Sequence, residues 1–171
     1  MDVTGAAVEV RAGRLDDLPA LTEIYNYYVE NTHVTFDLEP FTVPQRRDWF
    51  DHYADHGRHR LLVAVAGEDV LGYATSGRFR DKAAYGTSVE ATVYCAHAAL
   101  GRGAGSALYA ELFDLLRHED VHRAYAGIAL PNDASLALHR KFGFTEIGTF
   151  REVGLKFGKW WDVLWLERSI D

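Results

Sequence analysis

The sequence predicts an α/β (α+β) domain: a mixed β-sheet with helices on its faces. Two observations carry that expectation. The elements fall in the order β-α-α-β-β-β-α-β-α-β-β. Runs of consecutive strands are combined with a strand–helix–strand unit in the second half, so antiparallel and parallel pairs share one sheet. The 171 residues suit one domain with a single core, and no Pro/Gly/Ser stretch reads as a linker.

Val8 to Arg11 reads as the first strand. Asp16 or Asp17 then caps a helix with Pro19 in its first turn, where a missing N–H costs little. Leu18, Leu21, Ile24, Tyr25, Tyr28 and Val29 recur at steps of three and four and mark one helical face. Asn31 to Pro40 is loop. Thr42, Pro44 and Gln45 form a capping-box start for a second helix, with Trp49, Phe50, Tyr53 and Ala54 on its apolar side and Gly57 at its end. Leu61 to Ala66 and Val70 to Thr75 flank Gly67-Glu68-Asp69 as a hairpin. Val89 to Cys95 is a strand, Gly103 to Leu116 a helix with Ala104, Ala107, Leu108, Leu112 and Leu115 on one side, and His122 to Ala129 a strand. Asp133 to Lys141 is a short helix stopped by Gly143, and Phe144 to Phe157 and Trp160 to Glu167 are strands joined around Gly158.

Composition sets limits on function. Against 18 Lys and Arg stand 25 Asp and Glu, a formal charge of -7, which argues against a nucleic-acid binder with a basic face. No run has the length of a membrane-spanning helix. Met1 to Val10 hold two acids and no Lys or Arg, unlike a signal peptide. The single Cys95 permits no internal disulfide, which fits a reducing cytoplasm.

Leu100-Gly101-Arg102-Gly103-Ala104-Gly105-Ser106 sets three glycines between a strand and a helix. Glycines let backbone N–H groups approach an anion, and the helix start adds unpaired amides and the positive end of a dipole. A P-loop would need Lys before Ser106, and a dinucleotide fingerprint would need further strand–helix units. A tight turn for close packing and an anion site are equally good readings of the loop alone.

The loop is followed, after a helix and a strand, by Asn132-Asp133-Ala134-Ser135-Leu136-Ala137-Leu138-His139-Arg140-Lys141-Phe142-Gly143-Phe144. Together these segments resemble the GCN5-related N-acetyltransferases (GNAT). The segments around Thr35-Phe36, Phe79 to Tyr85, Glu90 to Tyr94, Leu130-Pro131-Asn132 and Gly148 to Val163 are similar to the branch that acetylates phosphinothricin and methionine sulfoximine. The resemblance implies a mostly antiparallel central sheet flanked by helices. It implies an acetyl-CoA-dependent enzyme that acetylates the α-amine of a small glutamate-like compound, and it implies a homodimer. Gly101, Arg102, Gly103, Ala104, Gly105 and Ser106 would hold the pyrophosphate, and Asn132 and Ser135 would lie beside the pantetheine. The family commonly places Gln or Arg where Leu100 stands; Arg102 is the nearest substitute charge.

Alternation on the strand Val89 to Cys95 puts Val89, Ala91, Val93 and Cys95 on one face and Glu90, Thr92 and Tyr94 on the other. A Glu in an apolar strand is disfavoured unless it is paired or used, and Arg80 and Lys82 are its available partners. The resemblance gives Glu90 the part of general base, the backbone of Val93, Tyr94 and Cys95 the thioester carbonyl, and His139 the place of an acid or proton relay. Arg78, Arg80 and Lys82 form a local positive cluster suited to an anionic acceptor, with Phe36 and Tyr85 as walls.

Three other features read as structural. Cys95 is a small buried residue rather than a nucleophile. His52 and His56 share a face of the second helix, exposed and without a third ligand, so no metal is expected. Trp160, Trp161 and Trp165 are core or dimer-interface aromatics. Two rivals stay open: a family member acting on another amine, such as a polyamine or a protein N-terminus, and a non-catalytic CoA-binding module.

Overall fold

The computed structural model describes residues 7–171. Residues 1–6, on which part of the N-terminal reading falls, lie outside it. Seven strands form one sheet in the order β1-β2-β3-β4-β5-β7-β6. They span Glu9–Ala12 (β1), Leu61–Ala66 (β2), Asp69–Arg78 (β3), Ser88–Cys95 (β4), Arg123–Ala129 (β5), Thr145–Lys156 (β6) and Lys159–Ser169 (β7). The helices are Leu18–Asn31 (α1), Arg47–Phe50 (α2), Ala104–Leu116 (α3) and Asp133–Lys141 (α4). Every pairing is antiparallel except β4 with β5, the pair that α3 connects.

Both faces of the sheet are covered. Leu62, Ala64, Leu71, Ala74, Val89 and Ala91 pack under α3, and Leu136, Leu138 and Phe142 of the α4 region join that core. Leu61, Val63, Val65 and Tyr73 pack on the opposite face under Leu21 and Ile24 of α1. This explains why β2 is apolar at every position rather than alternating: all six residues are buried. The β2–β3 turn is Gly67-Glu68, with Gly67 at φ +63°, so Asp69 already belongs to β3.

Three local readings are corrected. Asp17 precedes α1 but does not cap it, because its carboxylate is held by Arg11 at 2.7 and 2.8 Å and by the Arg14 N–H. On α3 the buried stripe includes Tyr109, Phe113 and Leu116, with Ala107 and Leu115 only half-buried.

The second helix starts where expected: the Thr42 N–H donates to Gln45 Oε1 at 2.8 Å. It stops at Phe50, well before Gly57. His52 and Tyr53 reach back only three residues, to Trp49 and Phe50, and the Ala54 N–H turns away to the His59 carbonyl at 3.0 Å. His52 and His56 therefore share no helix face.

Gly72 on β3 lets β4 lie close. A Cβ there would stand 2.7 Å from the Tyr94 carbonyl oxygen and 3.0 Å from Cys95 Cα, both backbone atoms that cannot swing aside. Gly72→Ala is expected to destabilise the protein by about 1–3 kcal/mol. A urea denaturation midpoint equal to the wild type would contradict that.

Candidate active site

β4 and β5 pair only at Ser88, Val89 and Glu90 with Arg123, Ala124 and Tyr125. Past Glu90 they diverge. β4 continues along β3 as far as Cys95, and β5 continues along β7 as far as Ala129. The parted strands open into a cavity of about 280 Å³ lined by Ala91 to Cys95, Ala126 to Ala129, Tyr28, Val34, Leu100, Tyr109, Leu138 and His139, among others.

Alternation fixes what β4 offers this cleft. The Ala96 N–H bonds the Leu71 carbonyl, so the even-numbered residues exchange bonds with β3. Val93 and Cys95 therefore turn their N–H and C=O toward the gap. The Cys95 carbonyl is already taken by the Tyr28 hydroxyl at 2.6 Å. The side chains divide as the period-two reading expects: Val93 and Cys95 pack with the α3 core, and Tyr94 packs with the α1 core.

The glycine loop stands at the start of α3. Gly101 and Gly103 have φ of +79° and +83°, and a Cβ on either would project into open space. Gly103 is the N-cap, and no side chain caps the helix. Its first-turn amides are the natural place for a phosphate. Ala104 contributes backbone only, since its side chain is buried in the core. Gly105 is small because Leu138 Cδ2 would lie 3.3 Å from its Cβ, and its N–H bonds the Cys95 sulfur. Burial raises the Cys95 thiol pKa, so the group stays neutral. Ser106 Oγ accepts from Lys141 Nζ at 2.9 Å, which brings a cation to the first turn of α3; Arg102 in the loop before it is exposed. Leu100 lines the cleft itself. These features fit a long thioester with its pyrophosphate at α3 and its acyl end between β4 and β5.

Asn132 caps α4, its Oδ1 accepting from the Ser135 N–H at 3.2 Å, and both residues line the cleft. His139 is buried. Its Nδ1 lies 2.7 Å from the Ser135 carbonyl and therefore carries the proton, and its Nε2 accepts from the Tyr109 hydroxyl at 2.9 Å. Burial lowers the His139 pKa, which keeps the ring neutral. The sequence reading missed Tyr109 because a Tyr inside an apolar helical stripe looks like core; only the facing His139 shows its polar role.

Glu90 lies on the other face of β4. It lines a cavity of about 300 Å³ with Trp49, His52, Tyr53, His59, Thr75, Gly77, Arg78 and Thr92. Burial pushes its carboxyl above the ordinary carboxylate range, and the Arg80 guanidinium pulls it part of the way back. Arg78 shares this cavity and stands 3.7 Å from Asp81. Lys82 and Tyr85 are exposed and line neither cavity, and Tyr85 meets Phe79 edge-on at 5.9 Å. Phe36 is partly exposed and lies against Gly154, where no Cβ could fit beside its ring. Among the described residues, no group of three or more His, Cys, Asp or Glu is placed to hold a metal ion. None of the described helices is long and apolar enough to cross a membrane.

A sheet parted between two parallel strands, with an amide-rich helix start at its mouth, suits an acyltransferase that draws on a CoA thioester. The chain belongs to the GNAT acetyltransferases: an acetyltransferase (GNAT) domain matches residues 10–165. It is 57% identical over 167 residues to a phosphinothricin N-acetyltransferase of Streptomyces coelicolor, covering 96% of this chain and 98% of that one. It is 34% identical over 165 residues to an L-methionine sulfoximine/L-methionine sulfone acetyltransferase of Pseudomonas aeruginosa, covering 96% of each. A GNAT phosphinothricin acetyltransferase from Sinorhizobium meliloti, solved with acetyl-CoA, superposes with a TM-score of 0.90 at 30% identity, covering 96% of this chain and 89% of that one.

If Glu90, whose pKa burial raises, acts as a base, the rate rises with pH as it ionises. kcat/KM is expected to climb through an apparent pKa above the free-glutamate value. In Glu90→Gln that limb should vanish and kcat should fall by roughly 10²–10⁴. A pH–rate profile shared by variant and wild type would remove Glu90 from the chemistry.

Proposed function

We propose that this enzyme transfers the acetyl group of acetyl-CoA to the α-amine of a small glutamate-like amino acid or analogue, such as phosphinothricin or methionine sulfoximine. One observation carries the reading: β4 borders a cleft along its free edge and carries a half-buried carboxylate, Glu90, on the opposite face beside Trp49 and Tyr53. Acetyl-CoA supplies an acyl group already activated as a thioester. Glu90 takes the proton of the α-ammonium, leaving a neutral nitrogen to attack. The N–H groups of Val93 and Cys95 stabilise the charge that develops on the carbonyl oxygen. The Tyr109 hydroxyl, oriented by His139, holds a proton beside the departing thiol; His139 is then a positioning residue rather than the acid. Arg102, Lys141 and the amides of Gly103 to Ser106 hold the pyrophosphate. Arg78 and Arg80, next to Glu90, take the acceptor's carboxylate. A neutral Cys95 thiol supports direct transfer without an acyl-cysteine.

The positive groups around Glu90 favour an anionic amino acid over a polyamine. The paired Glu90 and Tyr109–His139 groups favour an enzyme over a passive CoA-binding module. The reading places the protein as one catalytic domain in a reducing cytoplasm. With purified protein and acetyl-CoA, thiol release is expected with phosphinothricin, methionine sulfoximine and methionine sulfone, and little with spermidine. Turnover of spermidine in preference to all three would overturn the acceptor class.

The same reading includes a homodimer. Edge strand β6, its turn and the start of β7 expose Ile147, Phe150, Val153, Leu155, Phe157 and Trp160, each more than half accessible. A long apolar edge of this kind calls for a cover. Sedimentation velocity is expected to give twice the chain mass of 19.2 kDa. A concentration-independent monomer would remove the dimer.

A further inference from the structure

His59 and Glu90 stand on either side of Gly77. The Leu61–Thr75 register runs on to Arg60, whose carbonyl accepts from the Ser76 N–H at 3.0 Å, so His59 comes level with Gly77. Gly77 is in turn paired with Glu90. Both residues line the same cavity of about 300 Å³. Two strand spacings set their backbones about 10 Å apart. The position between them carries no side chain, and the Tyr53 hydroxyl stands over it, 3.4 Å from where a Gly77 Cβ would lie. A cavity of this size and polarity has room for water.

The ring is held in one orientation. Its Nδ1 lies 3.2 Å from the Ser76 carbonyl, which can only accept, so Nδ1 carries the proton and Nε2 is left to receive one. The Ala54 N–H fixes the His59 carbonyl at 3.0 Å. The flanking side chains are committed elsewhere. Arg58 donates to the Gly86 carbonyl and to Asp120, and Arg60 donates to the Gly57 carbonyl and to Glu119. His52, Tyr53 and Arg78 are the other titratable or charged groups in this cavity, and Arg80 acts on Glu90 from the rim. Each turnover leaves a proton on the base, which must shed it before the next amine arrives. The burial that makes Glu90 basic also slows that exchange with bulk water.

We propose that His59 is the proton relay of Glu90, a positioning residue that returns the base to its ionised form. The inference rests on the base reading above. The proton taken from the α-ammonium passes from the Glu90 carboxyl, through cavity water under the Tyr53 hydroxyl, to His59 Nε2. The half-buried ring then releases it to solvent, so one proton leaves per acetyl group transferred. Imidazole suits this step because it takes up and gives back a proton near neutral pH.

Chemical rescue separates a relay from a structural ring. With methionine sulfone as acceptor in dilute buffer, His59→Gln is expected to lower kcat roughly 10- to 100-fold, less than loss of the base itself. KM for acetyl-CoA should not change. Added imidazole is expected to restore most of the lost kcat in His59→Gln, with saturation, after subtraction of the enzyme-free rate, and to leave the wild type unaffected. His59→Asn carries the test if His59→Gln fails to bind acetyl-CoA by calorimetry and is therefore misfolded. A folded variant with wild-type kcat, a loss that imidazole does not restore, or the same behaviour in His52→Gln in place of His59→Gln each overturns the relay. Such a result beside a crippled Glu90→Gln leaves the base reading intact, whereas Glu90→Gln with wild-type kcat overturns that reading and the relay with it.

Discussion

The structure turns on how little β4 and β5 share. Three residues of each are paired, and then each strand keeps a partner on one side only: β4 along β3, β5 along β7. Backbone groups on the parted edges need other partners, because an unpaired buried N–H or C=O is costly. One is satisfied internally, where Tyr28 bonds the Cys95 carbonyl. The others form a ready surface for a polar ligand threaded between strands. The cleft follows from the pairing, and α3, which links the two parallel strands, necessarily starts at its mouth.

Much of this was legible because it rests on short-range rules. A period of two along Val89 to Cys95 was enough to set Glu90 against Val93 and Cys95 on opposite faces. The glycine spacing was enough to place positive φ at Gly101 and Gly103 before a helix start. The resemblance supplied the chemistry those positions carry. The misreadings came from long-range contacts. The Thr42–Gln45 capping box formed, yet the helix gave way because the Ala54 N–H found the His59 carbonyl. Asp17 sat at a helix start, but a bidentate arginine six residues back held its carboxylate. Tyr109 was passed over because its polar role lies in what faces it, His139.

The two sides of β4 differ in physical character. On the cleft side the site is mostly backbone and apolar side chains, with neutral Cys95 and His139 and the Tyr109 hydroxyl. On the Glu90 side it is built from charged and aromatic side chains: Glu90, Arg78, Arg46, Trp49 and Tyr53. Donor recognition thus depends on the fold, which changes only when the pairing changes. On the proposed reading, acceptor recognition would depend on side chains that can be exchanged without disturbing the sheet. Substrate preference can therefore drift among relatives while the thioester site stays fixed.

If Glu90 is the base proposed above, the charges on its side of β4 explain how a half-buried carboxylate would serve. Burial alone favours the protonated form of Glu90, which cannot take a proton. Arg80 offsets part of that penalty from a loop at the rim, where it remains exposed. A cation packed directly against Glu90 would lower its proton affinity too far and occupy the oxygens that must reach the amine. A cation at the rim leaves the carboxylate basic and accessible, so the exposure of Arg80 would itself suit Glu90 to the proposed role.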